Sequence, residues 1–464
     1  MTDLTVDSTA RAQADAVRRR EVSARELLDL HLVRIAERNP ELNAVVSLDE
    51  ERAREAAAAA DAALARGDEV GPLHGLPFAV KDTHALAGWR TTYGSPLYAD
   101  HVADDDDLLV ERVRRAGAVF IGKTNVPEFA AGSHTFNTVF GVTRNPVDPT
   151  RSAGGSSGGA ACALAAGMVP LADGSDMGGS LRNPASFCGV VGMRPSLGRV
   201  PEWPMDNQWE TTSVGGPMAR NVGDLALLLS VVAGPDARAP LALGDPGSTF
   251  APPVSSAPLA GLRVATSVDL GGALVVDDEV AQVVRAAADR LGDAGAAVTD
   301  THPDLALADD TFRTLRAWHF QARFGERLAA HPDAFKASLA ANIRAGEPLS
   351  GADVARAYRQ RTALAETMRL FFEDHDVLLL PTSQVPPFPV DQEFPTSING
   401  QEMPDYLAWM RSAYFITVTG CPAISVPAGI TADGLPVGVQ LVAAHGADRR
   451  LLEVAAAVEQ LLAG

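Results

Sequence analysis

Apolar positions recur along this chain with two periods, and the change falls near residue 71. Before it the pattern is helical. Ser23 and Glu26 form a capping box, Val22 and Leu27 can staple the same turn, and Asn39-Pro40 predicts the end of the run. A second, Ala-rich helix is expected from about residue 49. From 71 on, short apolar runs (LPFAV at 76–80, AVFIG at 118–122) alternate with helices and Gly-rich turns, the texture of a mixed α/β sheet. Asp104 to Asp107 stand just before LLVERVRRAG and read as the cap of a helix whose dipole they complement.

Further along, LRVATSVDL at 262–270, a helix near 278–293 and AAVTDT at 296–301 read as a β-α-β unit. Sheet-forming sequence returns in VLLLPT at 377–382, PAISVPAG at 422–429 and LPVGVQLV at 435–442, before a last helix near 447–462. These runs predict a single large α/β domain over 1–464. Its expected parts are N-terminal helices (1–70), a core with the most unusual composition (71–232), a Pro/Gly-rich connection (233–260), a β-α-β and helical insertion (261–376) and a C-terminal return to the sheet (377–464).

Composition narrows the function. Of the 464 residues 46% are hydrophobic and 21% charged, as in an ordinary soluble globular protein. A net charge of −19 works against binding a phosphate backbone, so no nucleic-acid partner is expected. No stretch reaches the length of a membrane span and no signal-peptide pattern is seen, which predicts a cytoplasmic protein with no membrane partner. Cys162, Cys188 and Cys421 lie far apart and read as buried thiols. Without metal-ligand spacing, neither metal nor cofactor is expected. His84 and His134 read as satisfied polar residues.

Two short motifs point elsewhere and fail on physical grounds. Gly117 to Thr124 fits a phosphate-loop pattern, yet its intervening residues AVFI form a β-type run whose amides a sheet would occupy. Gly155 to Gly159 fits GxSxG centred on Ser157, but the preceding RNPVDPTRSAGG is turn-like where a nucleophile elbow needs a strand.

The informative stretch is Ser152 to Pro184, SAGGSSGGAACALAAGMVPLADGSDMGGSLRNP, in which glycines surround Ser156, Ser157, Ser175 and Ser180. Glycine allows close backbone approach, and such a loop suits an oxyanion. The following small apolar residues suit a tightly packed helix and not a linker. With GGSSGG at 154–159, GSDMGGSLRNPA at 174–185, GLPFAVKD at 75–82 and FIGKTNVPEFA at 120–130, the chain resembles the amidase signature family, most strongly over residues 71–200.

That resemblance implies a mixed central sheet flanked by helices and a catalytic trio of Lys81, Ser156 and Ser180. By motif position Ser180 is the nucleophile, Ser156 the bridging serine after a cis peptide, and Lys81 the base. A lysine can accept a proton only when neutral, so Lys81 must be buried to lower its pKa. The amides of Met177, Gly178, Gly179 and Ser180 are placed to form the oxyanion hole. Ser175, Asp176 and Arg182 are expected to brace the turn. Phe136, Trp203, Met205, Trp209, Tyr406, Trp409 and Met410 are candidate pocket residues. The expected substrate is a small apolar or aryl acyl amide, with carbamates in reach, and the expected form is a monomer or homodimer. The alternative is a glutaminase-like component of a tRNA-dependent amidotransferase.

Overall fold

The computed structural model describes residues 4–463. Eleven strands form one mixed sheet, in the spatial order Val45–Val46, Val119–Thr124, Pro77–Lys81, Leu171–Asp176, Val214–Ala219, Val191–Arg194, Ala423–Ile430, Pro436–Val442, Val377–Pro381, Arg263–Thr266 and Ala297–Asp300. Helices pack on it, and a group of three, Ala308–Ala330, Ala337–Arg344 and Gly351–Asp374, forms the middle of the chain.

Two features of the sheet build the site. Pro77–Lys81 runs parallel to Leu171–Asp176, with Phe78 opposite Leu171 and Ala79 opposite Ala172, so both strands end at the same edge. The strand Pro77–Lys81 is buried throughout, which carries its terminal lysine into the interior. Between these strands and Arg182–Cys188 packs the helix Gly158–Ala165, made almost entirely of Gly and Ala. At Gly159 a β-carbon would lie 2.3 Å from Asn125 N, so only glycine lets this helix approach.

Two local expectations are corrected. The helix opened by the Ser23–Glu26 capping box does not stop at Asn39-Pro40 but runs Ala24–Leu42 and ends at Asn43 in the left-handed conformation. Proline costs little in this last turn because the Asn39 side chain accepts from the amides of Ala44 and Val45 and donates to Val45 O, tying down the exit. The aspartates before Leu108–Arg115 make no side-chain cap. Instead Asp107 and Asp106 accept from the amides of Ala85 and Ala87 at 3.0 and 2.8 Å, fastening the loop that follows Lys81.

Among the described residues no helix is long and apolar enough to cross a membrane, and no cluster of His, Cys, Asp or Glu is arranged to hold a metal. All three cysteines are buried, and burial pushes their thiols up.

Candidate active site

Lys81 is fully buried, and its amine is surrounded by hydroxyls. Nζ lies 2.9 Å from Ser156 Oγ, 2.8 Å from Ser157 Oγ and 2.9 Å from Ser175 Oγ. Burial pulls this amine down to about 7, against the carboxylates of Asp173, Asp176 and Glu202, which favour the charged form. A neutral amine has two N–H donors and one lone pair, so two of the three hydroxyls accept while the third donates to it. Burial thus shifts this amine toward the neutral form that base chemistry requires.

The serine loop is held from outside. Ser133 Oγ donates to Gly155 O at 2.7 Å and Thr135 Oγ1 to Gly154 O at 2.8 Å, and the Gly155-Ser156 peptide is cis. Ser157 starts the helix Gly158–Ala165, and its amide donates to Ser180 O at 3.1 Å, joining the two serine segments. Ser156, Ser175 and Ser180 all reach the wall of one cavity of about 710 Å³. No hydrogen bond joins Ser180 Oγ to Ser156 Oγ among the described residues.

The Gly-Gly turn is fixed by a buried carboxylate. Asp176 accepts from the Gly179 amide at 3.0 Å, the Leu181 amide at 3.1 Å and Arg182 Nη2 at 2.8 Å, and Arg194 also approaches it. Burial alone would raise its carboxyl, but Arg182 and Arg194 hold it well below the usual range. Arg182 is anchored in turn by Ala413 O, Thr417 and Gln440. Gly179 has φ +107, and a β-carbon there would meet the Ala413 methyl at 2.5 Å.

This geometry changes the expected oxyanion hole. The Gly179 amide already serves Asp176, which leaves Met177, Gly178 and Ser180 as the amides of this turn without a partner among the described residues. The Ser175 hydroxyl, expected to brace the turn, touches the lysine amine. Ser157, the neighbour set aside in favour of Ser156, lies equally close to that amine. Lys123 stays apart from this cluster. It is buried beneath the loop after Lys81, donating to His84 O and to Thr91 Oγ1.

Of the seven candidate pocket residues, three line the cavity: Trp203, Met205 and Met410. Trp409 is core, packed against Phe187 and Phe388, and Trp209 is 64% exposed. Phe136 packs beside His134, and Tyr406 lies behind the wall, bonded to Arg316 and Asn342. The missing wall comes from Tyr93, Phe129 and the helix Ala308–Ala330, which contributes Phe312, Arg316 and Phe324. An apolar and basic periodicity in 308–330 is the only sequence signal for that wall, and it does not separate a cavity face from a core face. His134 is satisfied by Ser152 and the Val390 carbonyl. His84 instead lines the cavity with Nδ1 2.5 Å from Asp173 Oδ2, while Asp173 Oδ1 accepts the Lys81 amide at 3.0 Å.

Known proteins share this architecture. The amidase family model matches residues 26–452. An acylamidase of Rhodococcus erythropolis is 36% identical over 457 residues, covering 97% of this chain and 94% of the relative. A glutamyl-tRNA(Gln) amidotransferase component of Synechococcus sp. (strain CC9605) is 37% identical over 483 residues, covering 98% and 96%. The crystal structure of a bacterial aryl acylamidase of the amidase signature enzymes superimposes with a TM-score of 0.91 at 29% identity, covering 98% of this chain and 96% of that one. With the family match, the relatives and the shared fold in agreement, the chain belongs to the amidase signature family and is an amide-bond hydrolase.

Proposed function

We propose that this amidase acts as a single chain on small apolar or aryl acyl amides, with carbamates within its range, through an acyl-enzyme on Ser180. The observation that carries the reading is the buried Lys81 amine 2.9 Å from Ser156 Oγ, at the edge of a cavity that Ser180 also lines. Neutral Lys81 takes the proton of Ser156, Ser156 takes that of Ser180, and Ser180 Oγ bonds to the substrate carbonyl carbon as the C=O pair moves to oxygen. The amides of Met177, Gly178 and Ser180 receive the developing oxyanion, and losing one such donor costs ~3 kcal/mol. On collapse the C–N bond breaks, and the amine leaves with a proton returned from Lys81 through Ser156. Water then gives a proton to Ser156 and Lys81 along the same path while its oxygen bonds to the acyl carbon. The ester bond to Ser180 Oγ breaks, that oxygen takes the proton back through Ser156, and the acid leaves.

Tyr93, Phe129, Phe312, Phe324, Trp203 and Met410 give the cavity the aromatic and thioether surface that an aryl or apolar acyl group would fill. Purified protein is expected to release aniline from acyl anilides and to be labelled on Ser180 by a fluorophosphonate. No amine release from acyl amides, carbamates or esters, with no labelling, would sink the proposal. The second reading, a glutaminase-like component of an amidotransferase, draws on the equal likeness to the Synechococcus protein. It would be favoured if the chain alone were inactive and hydrolysed glutamine only with partner chains.

A further inference from the structure

Asp173 is a buried carboxylate with no lysine or arginine paired to it. Further along the same strand Asp176 sits between Arg182 and Arg194, whereas Asp173 is paired, among the described residues, with His84 alone. Its two oxygens are divided. Oδ1 accepts the Lys81 amide at 3.0 Å, and Oδ2 meets His84 Nδ1 at 2.5 Å. A carboxylate only accepts, so Nδ1 carries the hydrogen of that contact. The backbone holds the ring in place as well, the His84 amide donating to Lys81 O at 2.9 Å and the Lys123 amine to His84 O. Lys81, Asp173 and His84 thus form a closed circuit of hydrogen bonds at the wall of the Ser180 cavity, which His84 lines.

Sheet geometry carries the charge of Asp173 to the lysine amine. Asp173 and Ser175 alternate along one strand and share a face, and Ser175 Oγ is 2.9 Å from Lys81 Nζ. Burial disfavours the charged amine. Of the carboxylates that work against burial, Asp173 stands before Asp176 and Glu202. Asp176 is offset by its two arginines, and burial pushes the Glu202 carboxyl up, toward its neutral form. Asp173 is therefore the charge best placed to keep a proton on Lys81, and the ring on Oδ2 opposes it.

We propose that His84 is a positioning residue of the amide hydrolysis: it engages the charge of Asp173 and, through that carboxylate, keeps the Lys81 amine available as a base. This rests on the base role of Lys81. The sign is the same in either protonation state of the ring. A cationic ring offsets the carboxylate charge, and a neutral one occupies its lone pair with an N–H. The other charged groups around the ring are Glu202, Asp107, which accepts from the Ala85 amide, and Lys123, which faces Asp82. None of them bonds to the imidazole.

The test is the acid limb of kcat/KM for 4-nitroacetanilide, which in the parent should lie near 7. His84→Phe should move it up by about one pH unit. His84→Asn, which keeps an N–H donor near the place of Nδ1, should fall between. Asp173→Asn should move the limb down, because its amide oxygen can still accept the Lys81 amide but carries no charge. In His84→Phe/Asp173→Asn the upward shift should be gone. An unmoved limb in His84→Phe, an upward shift of equal size with Asp173 replaced, or a loss of kcat with no change of limb would overturn the proposal. Should His84→Phe fail to melt cooperatively, His84→Asn and Asp173→Asn decide, and a limb unmoved in both overturns it. Thermal midpoints give a second readout that needs no turnover. Relative to matched Lys81→Met variants, the rise in stability with pH should begin near 7 in the parent and about one pH unit higher in His84→Phe. A common onset overturns the link. Failure of the hydrolase reading shows separately, as no labelling of Ser180 and no amine released by the parent, while the midpoints still report on Lys81.

Discussion

Lys81 and Asp173 are joined main chain to side chain, the Lys81 amide donating to Asp173 Oδ1 at 3.0 Å while the lysine amine points away into a ring of serine hydroxyls. The nearest carboxylate thus holds the backbone of the lysine and makes no ion pair with its amine. Burial then sets the proton affinity of that amine.

Activity should consequently depend on an acid limb near neutrality. The Lys81 amine titrates at about 7, and only its neutral form can accept a proton, so kcat/KM should rise with pH through that value and level off above it. The same shift acts on stability. Between about 7 and the ordinary value of 10.5 the unfolded chain binds the extra proton, so stability should increase with pH across that window relative to a Lys81→Met variant. A kcat/KM profile that falls across neutrality would contradict the base role. Thermal midpoints of the two proteins at several pH values check the second part.

Ser175→Ala removes one of three hydroxyls around the amine. A lost hydrogen bond of ~1 kcal/mol to the charged lysine should move the acid limb down by up to about one pH unit. The plateau of kcat should fall as well, since the amine is less firmly oriented. An unchanged profile would show that the 2.9 Å contact has no part in the reaction.

Asp176→Asn tests the turn. It leaves Arg182 and Arg194 buried beside a neutral group, and breaking a buried pair costs ~3–5 kcal/mol. A clear drop in thermal midpoint is expected, together with weaker Ser180 labelling, because Asn has one acceptor oxygen where Gly179 and Leu181 each use one of the two carboxylate oxygens. Retention of both would refute the bracing role.

Trp409→Ala separates core from pocket. The indole packs between Phe187 and Phe388 at 1% exposure, so its loss should cost ~3–5 kcal/mol in stability, read by chemical denaturation. Trp203→Ala, on the cavity wall and 40% exposed, should raise KM for anilides with a smaller stability change. The reverse pattern would restore Trp409 as a pocket residue.

How much of this was legible beforehand depends on how the residues are distributed. That Lys81 would meet Ser156 beside a cavity lined by Ser180 was readable because each sits in a short contiguous motif whose glycines are demanded by packing, as Gly159 against Asn125 shows. The sheet strands were readable because buried strands write continuous apolar runs. Phe312, Arg316 and Phe324 were not, since they come from a helix over a hundred residues away, and helical periodicity alone cannot separate a face on a cavity from a face on a core. Trp409 misled for the same reason, a large aromatic in a loop-like stretch being equally at home inside. Asp106 and Asp107 misled because caps and loop anchors use the same side chain.

Arg182, which steadies the Gly-Gly turn, is held by Ala413, Thr417 and Gln440. A polypeptide made from its N-terminus therefore has Ser180 long before it has the pieces that shape the turn around it. On the mechanism proposed above, that turn stays unshaped until the segment reaching Gln440 has been made and folded onto Arg182.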